Sequence, residues 1–175
     1  MYSDPNSVKR ISSLGAGPIG GGWTAHFLAR GYDVTAYLHD KSETNSFMSI
    51  LKTAWVSLAE LGLAPNASMD RLRIVTDLEE ALDGADFVQE SGPERIEVKQ
   101  KLYSEMGKIL PPSIIIGSST SGLMMSDIQS DCSTPERTVI GHPFNPPYLL
   151  PLVEIVGGKR TCLLYTSPSP RDCRL

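Results

Sequence analysis

Cysteine is scarce in this 175-residue chain: Cys132, Cys162 and Cys173 are too few for a disulfide framework. Long apolar runs are missing as well. No stretch approaches the roughly 20 consecutive apolar residues of a membrane span, and residues 1–9 lack the apolar segment of a secretory signal. The expected setting is therefore cytoplasmic, with no membrane as partner. Basic residues neither predominate nor cluster, since 16 Lys and Arg against 20 Asp and Glu give a net charge of −4. That balance leaves no electrostatic footprint for a nucleic-acid backbone and argues against such a partner. What remains is an ordinary globular composition, long enough to bury about two thirds of its unfolded surface without a disulfide or metal staple.

The composition breaks at Cys162. From there the sequence reads CLLYTSPSPRDCRL, rich in Ser, Pro and Arg and without apolar period. The run CLLYTSPSPRD resembles the conceptual translation of an adapter used in sequencing libraries, so residues 162–175 are expected to be a non-native tail. Residues 1–161 are then expected to be one domain at the start of a longer natural protein. Cys132 is the only thiol in that part, which suits a reducing compartment.

Strand-like and helix-like segments alternate from residue 8 to residue 156. Short apolar runs at 8–14, 34–38, 71–75, 85–89, 114–117, 138–142 and 152–156 read as strands. Between the first two, residues 18–30 carry Ile19, Trp23, Phe27 and Leu28 at helical spacing. Residues 42–61 read as a long amphipathic helix with Phe47, Ile50, Leu51, Trp55, Leu58 and Leu61 on one side and Gly62 as its stop. Asp77 opens a short helix at 78–82, the pair Pro111 and Pro112 closes one at 96–110, and a last one lies near 125–129. Such alternation implies crossover connections. The expected fold is α/β, a Rossmann-type doubly wound, mostly parallel sheet with helices on both faces.

Where the first strand hands over to the first helix stands Gly15-Ala16-Gly17-Pro18-Ile19-Gly20. Gly15 allows a tight turn, Gly17 lets the backbone approach a pyrophosphate, and Gly20 lets helix and strand pack closely. Pro18 falls in the first helical turn, where its missing N–H costs nothing. The motif marks a dinucleotide site. The acid expected at the end of the second strand is replaced by Leu38, and Asp40, two residues on, either reaches the ribose or caps the next helix. No arginine follows to accept a 2′-phosphate, which favours NAD over NADP as the cofactor.

At the far end of the chain, His142 closes a strand and Glu154 lies in the next, with Pro143, Pro146, Pro147 and Pro151 stiffening the loop between. A carboxylate beside an imidazole fixes its tautomer and raises its basicity, which suits a general base near neutral pH. The stiffened loop belongs at the sheet's carboxyl edge, where open α/β sheets bind ligands.

The stretches GAGPIGGGW, DFVQESGPER, GSSTSGL and GHPFNPPYLLPLVEIVGG together resemble the NAD-binding domain of the 3-hydroxyacyl-CoA dehydrogenase family over roughly residues 8–158. HPFNPPYLLPLVE is most similar to the branch that holds carnitine and gulonate 3-dehydrogenases and the lambda-crystallins. The resemblance implies a catalytic pair, His142 and Glu154, a substrate-holding Ser121, and Asn145 in the same role as the asparagine of the family's HPFNP stretch. It also implies Glu90 near the nicotinamide ribose and Arg95 in place of a lysine that contacts the cofactor. Ser119 stands where the family commonly has asparagine. The implied activity is NAD-dependent oxidation of the 3-hydroxyl of a hydroxy acid, a carnitine-like compound or a 3-hydroxyacyl-CoA, by a protein that dimerises through a helical C-terminal half. Within residues 41–70, where acyl-CoA members place basic residues, two lysines face three acids, which tilts the expectation towards a small unesterified compound. The alternative is an NAD-binding fragment or crystallin-like protein without turnover of its own.

Overall fold

The computed structural model describes residues 7–162. The apolar runs become β1 (Arg10–Leu14), β2 (Asp33–Tyr37), β3 (Leu72–Val75), β4 (Phe87–Glu90), β5 (Ile115–Ser118), β6 (Thr138–Pro143) and β7 (Val153–Gly157). They form one sheet in the order β3-β2-β1-β4-β5-β6-β7. Every neighbouring pair is parallel except β6 and β7, which run antiparallel. Strand order changes direction between β1 and β4, and at such a switch point a crevice opens at the carboxyl ends of the strands. This is the Rossmann-type doubly wound sheet.

The helices are α1 (Pro18–Ala29), α2 (Thr44–Leu61), α3 (Leu78–Leu82), α4 (Ile96–Ile109) and α5 (Met125–Ile128). They divide between two apolar cores. Ile11 of β1 packs with α1 and α2, whereas Leu14, three residues on and so on the opposite face, packs with α3, α4 and α5. α1 is buried almost all round. Its Gly21 admits α2, because a Cβ there would lie 2.6 Å from Ile50 Cγ2. On α2 the buried stripe is Phe47, Leu51, Ala54 and Leu58. The expected stripe member Leu61 is instead 67% exposed, because it is the last helical residue and the chain leaves the helix at Gly62, with φ 106°. The helix also starts later than expected, after a separate 3-10 turn at Lys41–Glu43.

Among the described residues no helix is long and apolar enough to cross a membrane. Of the expected tail, Cys162 donates its backbone N–H to the Glu136 carbonyl at 2.8 Å, and residues 163–175 lie outside the described part.

The C-terminus of α4 is closed by a side chain from far along the chain. Arg137, fully buried, donates to the carbonyls of Met106, Leu110, Pro111 and Ile114 and to Thr134 Oγ1. Terminal helix carbonyls lack partners within the helix, and a cation there also meets the negative end of its dipole. Arg137→Met is therefore expected to lower the unfolding free energy by roughly 3 kcal/mol or more, since each stranded buried acceptor costs about 1–3 kcal/mol. Urea unfolding measures it, and a loss under about 1 kcal/mol contradicts this account.

Candidate functional site

The three motif glycines do three different things. Gly15 has φ +125°, and a Cβ on it would lie 2.4 Å from the Ser91 carbonyl oxygen. A Cβ on Gly20 would lie 2.2 Å from the Gly15 carbonyl oxygen, so α1 can begin against the turn only without one. A Cβ on Gly17 would meet nothing within 4 Å, because that residue faces open space. Pro18 follows at the first position of α1, no side chain caps that helix, and Ile19 packs towards the core around Trp23. An uncapped helix N-terminus behind an open glycine fits the pyrophosphate of a dinucleotide.

The open space is a cleft of about 650 Å³ between the ends of β1 and β4, lined among others by Gly15, Gly17, Tyr37, Glu43, Ser91 and Lys101. Leu38, at the place of the expected acid, is fully buried in the core. Asp40 caps the 3-10 turn, its Oδ1 accepting from Ser42 N–H at 2.7 Å, and those Ser42 bonds hold its carboxyl below the ordinary range. Of the two carboxylates in this capping box, Glu43 is the one that lines the cleft. Burial, and then the charges of Glu105, Asp77 and Glu43, push the Tyr37 phenol up, so it stays a hydrogen-bond donor there.

Glu90 sits behind this wall, fully buried. Its Oε1 accepts from Lys99 Nζ at 2.7 Å and from Gly92 N–H at 2.6 Å, and its Oε2 from Ser118 Oγ at 2.6 Å. A buried charge needs this degree of pairing. Lys99 was not anticipated from the sequence, although the signal was present: it is a lysine on the stripe of α4 that also carries Ile96, Tyr103 and Met106. Arg95 caps the N-terminus of α4 through its backbone and its side chain is exposed, outside the cleft.

A second cavity of about 360 Å³ opens beside β6 and β7. His142 and Glu154 are direct register partners in the antiparallel pair, with Nδ1 2.8 Å from Oε2. Ser121, Gly122, Met124 and Val156 share the cavity wall. The loop that carries Ser121 is held by Glu94, whose Oε1 accepts from Thr120 Oγ1 at 2.5 Å, Gly122 N–H at 2.9 Å and Ser121 N–H at 3.1 Å. Burial raises the Glu94 pKa, but these bonds and the nearby Lys99 charge outweigh it and hold the carboxyl below its usual value. Asn145 is exposed and outside both cavities. Thus His142, Glu154 and Ser121 are brought together and Gly15 and Gly17 line the other cleft, whereas Asp40, Arg95 and Asn145 line neither, and nor does Glu90, whose oxygens are taken up inside the protein.

Residues 10–163 match the family model described as the NAD-binding domain of 3-hydroxyacyl-CoA dehydrogenase. The chain is 50% identical over 159 residues to L-carnitine dehydrogenase of Streptomyces coelicolor, covering 91% of this chain and 50% of that protein. It is 49% identical over 154 residues to the L-carnitine dehydrogenase of Pseudomonas putida, covering 88% of this chain and 48% of that one. It thus spans about half the length of the curated relatives it matches. Among solved structures, 3-hydroxybutyryl-CoA dehydrogenase of Escherichia coli superposes with a TM-score of 0.82 at 28% identity, covering 91% of this chain and 34% of that one. An NAD+-dependent pyridine carboxylic acid 5-dehydrogenase superposes at 0.80 with 30% identity, covering 94% and 52%.

Two glycine variants separate packing from ligand space. Gly20→Ala is expected to lower thermal stability, whereas Gly17→Ala keeps it and loses NAD binding; melting curves with a calorimetric NAD titration read both. The Glu94 carboxylate has a depressed pKa in the folded state, so its support of the Ser121 loop is present above the unfolded pKa and disappears as pH falls through the folded one. In an NMR titration the Ser121 and Gly122 amide protons should shift with a midpoint below the ordinary 4.5. A midpoint at or above that value, or an identical titration in Glu94→Gln, contradicts the assignment.

Proposed function

The chain belongs to the 3-hydroxyacyl-CoA dehydrogenase family, matching its NAD-binding domain, and from that premise we propose that the whole protein oxidises the 3-hydroxyl of a small, unesterified hydroxy compound, carnitine foremost. The observation that carries this reading is the 2.8 Å contact of His142 Nδ1 with Glu154 Oε2 at a cavity shared with Ser121. A carboxylate only accepts, so Nδ1 carries the proton and Nε2 keeps the lone pair of a base. His142 then takes the hydroxyl proton on Nε2, and Glu154 stabilises the imidazolium that forms. Ser121, fixed by Glu94, orients the substrate hydroxyl. Bound NAD supplies the hydride acceptor. Gly17 and the start of α1 hold its pyrophosphate, and Glu43 takes the adenosine ribose in place of an acid at the end of β2, which favours NAD over a 2′-phosphorylated cofactor.

The substrate choice rests on the names of the relatives at about half identity, together with the two lysines against three acids over residues 41–70. We read residues 1–161 as the NAD-binding half of a longer protein. Leu149, Leu150, Leu152, Ile155 and Val156 are each more than 40% exposed. An apolar strip of that kind supports a further domain that closes over β7 and carries the contacts of a homodimer. A cytoplasmic setting suits the free, buried Cys132.

The test is NAD reduction by the full-length protein. Carnitine is expected to turn over in preference to gulonate and to 3-hydroxybutyryl-CoA; a clear preference for the thioester overturns the substrate reading. His142→Gln should lower kcat by about 10²- to 10⁴-fold, the usual share of a general base, while NAD affinity stays within about twofold of wild type. An unchanged kcat overturns the assignment of the base.

A further inference from the structure

Between the two cavities lies a group of polar side chains that the proposed reaction leaves unused. Trp23 Nε1 of α1 donates to Ser119 Oγ at 3.2 Å, and Gln89 Nε2 of β4 donates to the same oxygen at 2.8 Å. Ser91 Oγ lies 2.8 Å from it. The chemistry of the donors fixes the direction of every proton. An indole nitrogen only donates. Gln89 shows its nitrogen to Ser119 because that atom also faces the Gly141 carbonyl, at 3.4 Å, and a carbonyl only accepts. Both lone pairs of Ser119 Oγ are then filled, so its single proton goes to Ser91 Oγ. The proton of Ser91 is left over, with no acceptor among the described residues.

Ser91 is also held in place. Its N–H donates to the Leu14 carbonyl at 2.7 Å, and its carbonyl abuts Gly15. It lines the cleft beside Gly15, Gly17 and Gly92, at the switch point of the sheet. We propose that Ser91 is a cofactor-positioning residue, an obligate hydrogen-bond donor to a hydroxyl oxygen of the ribose on the nicotinamide side of NAD. This rests on the reading that NAD lies over the glycine turn. A serine that accepted from Ser119 and donated nowhere would waste a hydrogen bond at a half-buried site, whereas an acceptor oxygen in the cleft completes the chain.

Calorimetric titration of the full chain with NAD, ADP-ribose and ADP tests this, in wild type, Ser91→Ala, Ser91→Thr, Ser119→Ala and Gly17→Ala. Loss of one net hydrogen bond is worth about 3- to 10-fold in affinity. Ser91→Ala is expected to weaken NAD and ADP-ribose by that factor, to leave ADP within about twofold, and to lower the melting temperature of the free protein less than Ser119→Ala does, because it strands one donor, the Ser119 hydroxyl. Ser91→Thr, which keeps the hydroxyl, restores affinity. Ser119→Ala strands the donors of Trp23 and Gln89 and lowers the melting temperature of the free protein further. If Ser91→Ala binds NAD and ADP-ribose as wild type does while Gly17→Ala does not bind, the inference falls and the cofactor reading stands. If wild type binds none of the three, both fall. Equal weakening of ADP also overturns the inference, because the partner is then a phosphate.

Discussion

A carboxylate with no solvent around it has to find its partners inside the protein, and the carboxyl edge of this sheet is arranged about that need at Glu90. Lys99 reaches it from α4, Ser118 from β5 and the Gly92 amide from the loop after β4. Each bond fixes something else. Lys99 docks α4 against the end of β4, and Gly92 is one wall of the cleft at the glycine turn. The backbone of the same residue works outwards too, since Ser119 N–H donates to the Glu90 carbonyl at 2.7 Å and so pins the start of the polar run that leads to Ser121. Removing Lys99 leaves the Glu90 carboxylate as an unpaired charge in the interior, the costliest kind of defect, whereas removing Ser118 strands one of its oxygens.

The pairing of His142 with Glu154 follows from a different constraint, the length of a connection. Residues 144–152 join β6 to β7, and so short a link cannot make the crossover of a dozen or more residues that a parallel neighbour demands. β7 must therefore return antiparallel at the edge of an otherwise parallel sheet. In that geometry His142 and Glu154 stand directly opposite, where side chains share a face and lie close enough to interact. A slip of one residue would send Glu154 to the other face and leave the imidazole without its acceptor. The pair thus depends on register as much as on identity.

These constraints decide what could be seen in the sequence. The seven strands and five α-helices of the described residues are legible within a few residues, because runs such as 85–89 and 114–117 carry apolar residues that only a sheet covered on both faces can bury. The glycine turn was legible because its three positions have distinct steric demands. The partner of His142 was legible because an edge hairpin makes the separation in sequence a separation in register. What was not legible depended on tertiary contacts. Whether Asp40 reached a ribose or capped a turn depended on where the chain went after β2, and it caps, while Glu43 came to the cleft through one further helical step. Leu61 fits the stripe of α2 by period yet is exposed, since periodicity carries no information about where the supporting surface stops. Arg95 caps α4 and Lys99 lies four residues on, in its first turn, and only burial separates a solvated cation from one held against Glu90.

Ser119 stands where the family resemblance implies an asparagine, and the difference is absorbed locally. An asparagine at that place would bring a carboxamide with donors and acceptors of its own. Serine brings one proton and two lone pairs, and here both lone pairs are met by nitrogen donors, Trp23 from α1 and Gln89 from β4. The indole nitrogen would otherwise be buried beside the sheet without a partner, at a cost of about 1–3 kcal/mol. The carboxamide of Gln89 extends the same seam to the Gly141 carbonyl, one residue before His142. The floor between the glycine-turn cleft and the His142 cavity is thus a set of hydrogen bonds that joins α1, β4, the end of β5 and β6. Because such bonds are directional, the seam sets the angle between the glycine turn and the imidazole as well as their separation, and a substitution that upset its proton order would disturb both cavities at once.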